Sequence, residues 1–462
     1  MTPEQRTAHE HHLLHHSHEP LGEPDIIHDS PAPTTSAEEY RRVALATGVG
    51  TMIEWYDFFI YANVAALLFG KLFFSGLGEW SQLASLATIG VSFFFRPLGA
   101  IAMGHIGDRM GRRMVLILTL VLMGVATTFV GLLPTTQAIG IGAPILLIIL
   151  RCLQGFSAGG EWGGAAMLAV EHAPHGQRGR FGASPQVGVP AGMLLAAGVL
   201  ALLTNLTTTE QFESWGWRIP FIFSLMLIAL GQWIRRRVAE SPVFQELKEA
   251  KAHSKAPMKE VFKENPREIL HMASIFMGNN AFGYMLVGGY LLSFVTATFK
   301  LPRAQVLPWV LVAAGLWILT TVFAAVLSDR IGRKKVFVYG YALQAIMIYP
   351  VFYLANQPEL SKIAAAYLLM TIPLGITYGP LPALYAEEFP ARIRLSGVSI
   401  AYAIGAILGG AFAPTIAEAL TKSTGTVMSV AYYLGAMSVL SFVGSLFIKD
   451  RTNQPLHTVS GH

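Results

Sequence analysis

Five ionisable residues lie inside long apolar runs of this chain, where an unpaired charge is costly. They are Glu54, Asp57, Arg96, Arg151 and Glu161, and all of them fall in the first half of the 462 residues. Because a charge at the centre of a bilayer costs about 2.5–3.5 kcal/mol or more, such residues are functional by default. Three carboxylates and two guanidiniums leave one negative charge, which one proton would neutralise. Arginine does not release its proton, so a carboxylate must bind it.

This arrangement would couple a proton to an anion, because an anionic solute that pairs with an arginine frees a carboxylate for protonation. Glu161, which lies among glycines, is equally compatible with a role in helix packing. Neutral amides and aromatic rings at matching depth are candidates for the remaining solute contacts, although aromatic rings more often pack or anchor helices. These candidates are Gln154, Gln186, Asn279, Asn280, Trp55, Tyr56, Tyr284 and Tyr378. Shikimate-like hydroxy acids, aromatic acids and dicarboxylates all fit this set.

The elements that must position these residues are membrane-spanning helices. The chain is 53% hydrophobic and 13% charged, against roughly 25% charged residues in ordinary soluble domains. Runs of about 20 apolar residues are long enough to cross the hydrocarbon, and they predict an all-α membrane protein with twelve transmembrane helices. The predicted spans are 43–70, 80–105, 113–133, 143–172, 180–204, 216–236, 268–298, 304–328, 335–354, 359–386, 394–420 and 427–448.

A charged loop signature occurs twice, about half a chain apart. It reads Gly-His-Ile-Gly-Asp-Arg-Met-Gly-Arg-Arg at 104–113 and Ala-Val-Leu-Ser-Asp-Arg-Ile-Gly-Arg-Lys at 325–334. Such an internal repeat is typical of a transporter built from two pseudo-symmetric six-helix bundles. The predicted organisation is an N-terminal tail (1–40), a first bundle (41–236), a linker (237–267), a second bundle (268–450) and a C-terminal tail (451–462).

The signature also predicts a conformational latch. Each aspartate lies at a helix end, where it can pair with basic groups or with a helix N-terminus across the two bundles. The latch would hold the bundles together in one state and break in the other, whereas simple topology-setting charge is the alternative for the arginines. The residues assigned to it are Gly104, Asp108, Arg109, Gly111, Arg112, Glu171, Asp329, Arg330, Arg333 and Glu387.

The distribution of basic residues predicts the orientation in the membrane. Most of the 33 Lys and Arg fall on the side of the signature loops, and the positive-inside rule puts that side and both termini in the cytoplasm. The net charge of +5 therefore reflects topology and does not support nucleic-acid binding. The N-terminal tail lacks the apolar core of a signal peptide and contains seven of the fourteen histidines, which predicts disorder.

The sequence gives little support for a metal site or a cofactor. A solvated tail explains His11, His12, His15 and His16 better than a weak metal site. The single cysteine, Cys152, excludes an intrachain disulfide and a cysteine-based metal site. No nucleotide-binding P-loop and no catalytic constellation occurs in the spans, which argues against a primary pump and against an enzyme. We therefore expect no metal and no cofactor, with the proton as the coupling ion.

Several motifs resemble a known group. Gly-x3-Asp-Arg-x-Gly-Arg-Arg resembles the cytoplasmic signature of the major facilitator superfamily, and the segment 151–155 resembles its fourth-helix motif. Glu-Trp-Tyr-Asp-Phe-Phe at 54–59, Phe-Arg-Pro-Leu-Gly at 95–99 and Gly-Gly-Glu-Trp-Gly-Gly-Ala-Ala at 159–166 are similar to the metabolite:proton symporter family. Segment 210–221 is similar to its shikimate permease-like branch. The resemblance covers about residues 41–450.

The resemblance implies a major facilitator fold with alternating access and proton-driven uptake of a small organic acid. It places Arg151, Asp57, Arg96, Gln154 and Glu161 in the site or the coupling network. The implied partners are a small organic anion, protons and lipid, in a monomer of a bacterial inner membrane. Two alternatives remain: uptake of a zwitterionic osmolyte such as proline or betaine, and efflux of a cationic compound. Because Ala325 replaces the usual glycine, the second latch is expected to be weaker.

Overall fold

The computed structural model describes residues 36–250, 254–287, 289–452 and 454–456, and long helices dominate this part of the chain. The helices are α1 (Ala37–Val64, continued by a π-helical turn Ala65–Phe69 and by Gly70–Phe73), α2 (Ser81–Met110), α3 (Arg112–Leu132), α4 (Gly142–Glu171), α5 (Arg178–Leu206), α6 (Arg218–Arg235), α7 (Pro242–Glu249), α8 (Pro257–Glu264), α9 (Pro266–Val287), α10 (Tyr290–Phe299), α11 (Arg303–Ile331), α12 (Arg333–Ala355), α13 (Leu360–Ile376), α14 (Leu381–Glu388), α15 (Arg394–Ala406), α16 (Ala413–Thr424) and α17 (Met428–Leu446).

The twelve predicted spans are confirmed, although several are not single straight helices. Eleven segments of the described chain are long and apolar enough to cross a membrane, and α9 with α10 forms a twelfth that bends by 45°. The tenth span consists of α13 and α14, and the eleventh contains α15, a π-helical turn at Ile407–Ala411 and α16. Breaks of this kind are tolerated because neighbouring helices satisfy the freed backbone groups.

The helix ends follow local rules. Ser36 caps α1 by accepting a hydrogen bond from the amide of Glu39 at 3.1 Å, so the first helix starts inside the predicted tail. Residues 1–35, with the histidine cluster, lie outside the described residues. Proline at the first position opens α7, α8 and α9, where its missing N–H costs no hydrogen bond.

The two halves meet along two symmetric helix pairs. Helices α1–α6 form the first bundle, in which α2 packs against α4 and α1 against α5. Helices α9–α17 form the second, in which α11 packs against α13 and α12 against α17. Across the bundles, α2 packs against α15 and α5 against α11. We call this contact surface the seam, and we call the end of the molecule with the two signature loops the loop face.

The predicted linker contains two short amphipathic helices. Helix α8 buries Met258 and Val261 and packs against α2 and α15, one helix from each bundle. Helix α7 buries Val243, Phe244 and Leu247. Because these apolar side chains are covered, the described part of the linker is a packed element of the loop face.

Candidate functional site

A pocket lies within the first bundle, between α1, α2, α3 and α4. Its lining residues are Glu54, Trp55, Phe58, Ser92, Arg96, Met123, Arg151, Gln154, Gly155 and Ala158. Five of these, Glu54, Trp55, Arg96, Arg151 and Gln154, were candidates from the sequence. Four helices therefore contribute to one site that contains both acidic and basic groups.

Arg151 is buried, with 2% of its surface exposed. Its donors reach the carbonyl oxygens of Thr88 (3.1 Å) and Ile89 (3.3 Å), the hydroxyl of Ser92 (3.0 Å) and the amide oxygen of Gln154 (2.7 Å). Its guanidinium carbon lies 3.7 Å from the centre of the Tyr61 ring, a cation–π contact. Within the described chain it forms no ion pair with a carboxylate, so the expected direct pairing with the buried acids is wrong.

Asp57 is fully buried and is held by hydroxyl groups. Thr127 of α3 donates to Oδ2 at 2.8 Å, and Ser224 of α6 donates to Oδ1 at 2.7 Å. The Nε2 of Gln154 donates to the same Thr127 hydroxyl at 2.8 Å. A continuous hydrogen-bond chain therefore runs from Arg151 through Gln154 and Thr127 to Asp57. Sequence reasoning missed both hydroxyls, because a threonine or serine inside a membrane helix carries no charge that marks it.

Glu161 has a partner that the sequence did not suggest. It forms an ion pair with Arg235 of α6 and accepts a hydrogen bond from Thr119 of α3. Arg235 is 2% exposed, although it begins a run of three arginines at the end of the sixth predicted span. The predicted surplus of one negative charge is therefore wrong, because three buried acids face three buried or half-buried arginines.

Glu54 and Arg96 are the charged groups with unused hydrogen-bonding capacity in the pocket. The Oε2 atom of Glu54 and the Nε atom of Arg96 are buried and have no hydrogen-bond partner among the described residues. The Arg96 guanidinium lies 4.4 Å from the ring centre of Phe93. Since buried polar groups are almost always hydrogen-bonded, these two atoms are suited to meet a ligand.

The neutral candidates of the second half are mostly occupied by protein contacts. Asn279 donates to the carbonyl of Leu374 at 2.9 Å and to the hydroxyl of Thr377 at 2.7 Å. Asn280 donates to the carbonyl of Ala406 at 3.1 Å. Their side chains therefore join α9 to neighbouring helices.

Two other candidates, Tyr56 and Gln186, also make structural contacts, whereas a third approaches the pocket. The Tyr56 hydroxyl donates to the carbonyl of Pro220 at 2.8 Å, away from the pocket. Gln186 accepts from the indole of Trp162 at 2.6 Å and donates to the carbonyl of Tyr378 at 2.7 Å, which joins the bundles. Tyr284 is the candidate of the second half that approaches the pocket, with its ring 5.8 Å from that of Phe93.

Aromatic rings also close the seam. Trp162 of α4 stacks on Tyr402 of α15 with ring centres 3.8 Å apart, and Tyr402 stacks on Phe276 of α9 at 4.4 Å. Trp162 is 3% exposed. On α4, Trp162 lies one helical turn beyond the pocket residue Ala158, towards Glu171, so the stack joins the two bundles next to the pocket.

At the loop face, the first signature builds a four-residue cluster that joins both bundles. Asp108 accepts from the amides of Leu395 (3.1 Å) and Ser396 (2.8 Å) at the start of α15. Arg112 pairs with Asp108 at 3.2 Å and with Glu171 at 3.0 Å. Glu171 in turn pairs with Arg394 of the second bundle at 3.1 Å. We call this set the first loop cluster.

The second signature repeats the arrangement. Asp329 accepts from the amides of Gly179 (2.7 Å) and Arg180 (2.9 Å) at the start of α5. Arg333 pairs with Asp329 at 2.8 Å and with Glu387 at 3.1 Å, and Glu387 pairs with Arg178 of the first bundle at 3.2 Å. We call this set the second loop cluster. Both aspartates thus cap a helix N-terminus of the opposite bundle, where a negative charge is stabilised.

Two residues assigned to the latch do not belong to either cluster. Arg109 and Arg330 are exposed, and Arg109 contacts His105 of its own helix at 3.4 Å. Each follows the aspartate of its cluster by one position, which turns its side chain to the outer surface of the helix. Gly111 and Gly332, by contrast, form the turns of the signatures, with φ of 111° and 95°, a backbone conformation that favours glycine.

Ala325, which replaces the usual glycine of the signature, does not disrupt the second loop cluster. In the first, Gly104 of α2 lies against α15, so that a Cβ there would be 2.8 Å from the Cα of Ser396. In the second, the small residue is on the opposite helix, because a Cβ on Gly179 of α5 would be 2.1 Å from the carbonyl oxygen of Ala325. The expected weakness of the second latch is therefore not visible in its geometry.

The C-terminal segment contributes to both clusters. Arg178 donates to the carbonyl of Gln454, and Arg394 donates to the carbonyl of Leu456 at 3.0 Å. Leu456 is 7% exposed. The described part of the predicted C-terminal tail is therefore a packed strap over the loop face, and residues 453 and 457–462 lie outside the described residues.

A metal site is not found in the part of the chain that the structure describes, where no group of three or more His, Cys, Asp or Glu is arranged to hold an ion.

Comparisons with known proteins fit this architecture. The sequence profile of the Major Facilitator Superfamily matches residues 47–414 and 279–460. The chain is 38% identical over 422 residues to the shikimate transporter of Escherichia coli (strain K12), which covers 90% of this chain and 96% of that protein. It is 33% identical over 447 residues to the proline/betaine transporter of Salmonella typhimurium (strain LT2), with 94% and 87% covered.

Solved structures show the same fold at low sequence identity. The proton:xylose symporter XylE bound to 6-bromo-6-deoxy-D-glucose superposes with a TM-score of 0.75 at 18% identity, covering 91% of this chain and 98% of that one. The inward open conformation of XylE from E. coli gives 0.62 at 19% identity, with 91% and 99% covered. Two related helical bundles with paired loop clusters define a multi-pass membrane transporter, not an enzyme. The chain belongs to the major facilitator superfamily.

Proposed function

We propose that the protein is a secondary active transporter that takes up a small organic acid together with a proton by alternating access. The observation that carries this proposal is the buried hydrogen-bond chain from Arg151 to Asp57 beside a pocket that contains Arg96. A carboxylate in this position can bind a proton, and an arginine in the pocket can bind an anion. The name of the shikimate transporter among the relatives supports an organic acid as substrate.

The proposed coupling of one proton to one anion follows from the balance of buried charges in the first bundle. The three buried acids and three arginines of the first bundle cancel when all are ionised, so an anionic substrate adds one negative charge to the site. One proton on a carboxylate restores neutrality, and moving the uncompensated charge through the membrane would be costly. The expected stoichiometry is therefore one proton for each monovalent anion, with no cofactor.

The substrate would be held between Arg96 and Glu54. Arg96 would bind the carboxylate through charge-assisted hydrogen bonds, and the unpartnered Oε2 of Glu54 would accept from a hydroxyl group. Trp55 and Tyr284 would provide apolar walls. A hydroxy acid of the shikimate type has both groups that this arrangement needs.

The orientation and location follow from the charge distribution. The loop face and both termini would lie in the cytoplasm of a bacterial cell, with the protein in the inner membrane as a monomer. The bundles 41–236 and 268–450, joined by the linker 237–267, would rock against each other as the loop clusters break and re-form.

A second candidate is uptake of a zwitterionic osmolyte. The unpartnered Oε2 of Glu54 and Nε of Arg96 favour it, because a zwitterion carries a cationic and an anionic group. The proline/betaine transporter of Salmonella typhimurium is 33% identical to this chain. Efflux of a cationic compound would use the acids as ligands and leave Arg96 without a role, so it ranks lowest.

Uptake into proteoliposomes under an inward proton gradient tests the proposal. Labelled shikimate, proline and an organic cation are compared with and without a protonophore. Accumulation of shikimate that the protonophore abolishes supports symport of an organic acid. Accumulation of proline alone favours the second candidate, and proton-driven extrusion of the cation contradicts both.

A further inference from the structure

Thr127 lies at the centre of the chain that joins the buried cation to the buried acid. Its hydroxyl oxygen is 2.8 Å from Oδ2 of Asp57, 2.8 Å from Nε2 of Gln154 and 2.9 Å from the carbonyl oxygen of Met123. A hydroxyl has one proton to donate and two lone pairs that accept. Two of its three partners, the Asp57 carboxylate and the Met123 carbonyl, are acceptors, so they compete for its single proton.

The direction of each bond follows from the chemistry of the groups. A guanidinium only donates, so Arg151 fixes Oε1 of Gln154 as the acceptor and turns Nε2 towards Thr127. Thr127 accepts from that amide. Its own proton is then available for Asp57 or for Met123. An ionised Asp57 can only accept, so the hydroxyl donates to it, and all three bonds point from the cation to the anion.

Protonation of Asp57 at Oδ2 reverses the last bond. The carboxylic acid then donates to Thr127, and the threonine proton turns to the carbonyl of Met123, which lies one helical turn back on α3. No hydrogen bond is lost, because the threonine accepts one and donates one when Asp57 is ionised and accepts two and donates one when Asp57 is protonated. The chain of donors from Arg151 then ends on the neutral carbonyl of Met123 instead of on an anion, and the bonds of such a chain polarise one another cooperatively.

We propose that Thr127 is a positioning residue that transmits the protonation of Asp57 to Gln154 and Arg151. This inference rests on the proposed function, and it explains how a proton that does not contact the substrate prepares the pocket for an anion. When Asp57 is protonated, Arg151 faces no aligned anion, so its positive charge is available to the pocket that it lines. When the proton leaves, the chain realigns and the anion is released.

Several other ionisable groups lie around Asp57 on the helices packed against α1. Glu54 and Tyr56 of α1 itself interact electrostatically with Asp57. Arg96 of α2, Glu161 of α4 and Arg235 of α6 surround Glu54, and Arg151 of α4 reaches Asp57 through Gln154 and Thr127. Helices α3 and α6 contact Asp57 through the hydroxyls of Thr127 and Ser224. The threonine thus provides the contact between Asp57 and the side chains that hold Arg151.

Infrared spectroscopy of the purified protein tests the link without any substrate. The stretching band of protonated Asp57 is identified by its loss in Asp57→Asn. Thr127→Val keeps the shape of the side chain and removes the hydroxyl, so the band should shift to higher frequency. Thr127→Ser should restore the band. Thr128→Val is the matched control, because Thr128 donates to the carbonyl of Gly124 on its own helix, and it should leave the band in place.

Transport then tests the coupling, with labelled shikimate as the probe. Thr127→Val should reduce proton-driven accumulation about tenfold or more, the effect of losing a hydrogen bond to a charged group, while counterflow stays measurable. Thr127→Ser should recover accumulation. An unshifted band, or full accumulation by Thr127→Val, would overturn the inference. If the wild-type protein does not transport shikimate, shikimate is the wrong substrate for the proposed function, and the infrared result alone decides the role of Thr127.

Discussion

Asp57 and Arg151 carry opposite charges that are not in direct contact but are connected by hydrogen bonds through Gln154 and Thr127. Each is almost fully buried, yet neutral groups satisfy both: hydroxyls for the acid and backbone carbonyls with Gln154 for the arginine. A direct ion pair would hold both charges tightly, because removing one partner of such a pair costs about 3–5 kcal/mol. In the proposed function, the separated arrangement would leave Asp57 free to change its charge during the transport cycle.

Asp57→Asn should abolish proton-driven accumulation and retain exchange. An asparagine fills the same space and still accepts a hydrogen bond at its oxygen, but it cannot bind and release a proton. The measurement compares gradient-driven uptake with counterflow of labelled shikimate in proteoliposomes. If accumulation survives in this variant, the proton travels through Glu54 or Glu161 instead.

Arg151→Ala should lower both counterflow and accumulation by at least about tenfold. The substitution removes four hydrogen bonds that tie α4 to α2 and to Gln154, each worth about 1.5–3 kcal/mol when the donor is charged. Arg151→Lys should not rescue the loss, because a single ammonium does not reproduce the planar fork of donors. Normal transport by correctly inserted Arg151→Ala would contradict the assignment, and thermal unfolding separates lost function from lost fold.

At the loop face, the two signature aspartates cap the N-termini of helices in the opposite bundle. Each aspartate ends one helix and caps the first amides of a helix in the opposite bundle, so one carboxylate fixes two elements at once. The same geometry occurs twice, with the bundles exchanged. With both clusters intact and aromatic rings stacked across the seam, the bundles are closed on the loop face. Under the proposed alternating access, opening on this side would require both caps to break.

Neutralising the caps should shift the molecule towards opening at the loop face. In Asp108→Asn combined with Asp329→Asn, neutral amides replace the charged acceptors, which weakens each pair of hydrogen bonds by about 1–3 kcal/mol. Ser399→Cys in a Cys152→Ser background reports the opening, because Ser399 is 1% exposed on α15 beside α4. Its labelling by a thiol reagent in detergent should accelerate about tenfold or more. Glu38→Gln, which neutralises an exposed pair with Arg42, should leave the labelling rate unchanged.

A methyl group on Gly179 should also shift the molecule towards opening at the loop face, in this case by crowding the contact between the bundles. Its Cβ would lie 2.1 Å from the carbonyl oxygen of Ala325 and 2.9 Å from Oδ1 of Asp329, and overpacking of this kind costs about 1–3 kcal/mol. Gly179→Ala should therefore accelerate labelling of the same reporter cysteine and lower the unfolding temperature. Gly198→Ala on the same helix meets open space and should do neither. Equal labelling in the two variants would show that the close approach at Gly179 is not needed for closure.

At the scale of the whole molecule, the two bundles share a fold and differ in chemistry. In the described chain, the mid-span acids and arginines of the pocket belong to the first bundle, whereas the second presents amides and tyrosines that are mostly bonded within the protein. The second bundle repeats the loop cluster, so it takes part equally in closing the seam. Coupling would then reside in the first bundle and gating in both.

The sequence predicted this division because charge in an apolar run is conspicuous. The spans, the repeated signatures and the pocket residues Glu54, Arg96, Arg151 and Gln154 all follow from composition and spacing. Thr127 and Ser224 could not be found, since hydroxyls in membrane helices usually bond to their own backbone. Arg235 was not among the predicted residues, because it begins a run of three arginines at a helix end, where basic residues are common. The orientation of each helix about its axis decides which arginine of a signature faces the cluster, and the sequence does not specify that orientation. In the structure Arg112 and Arg333 face the clusters. Arg109 and Arg330 face outwards.

If coupling resides in the first bundle, a polar substitution in the second bundle should change the stability of the protein without changing the number of protons moved for each substrate. Asn279→Ala removes two donors that join α9 to the break between α13 and α14, and it leaves the hydroxyl of Thr377 and the carbonyl of Leu374 with fewer partners. We expect a loss of about 1–3 kcal/mol in the free energy of unfolding, with an unchanged number of protons moved for each shikimate. Asn205→Ala is the control, since its exposed amide donates to Ala201 of the same helix and should leave both quantities unaltered. A changed ratio in Asn279→Ala would mean that the second bundle shares in proton coupling, and the assignment of coupling to the first bundle would fail.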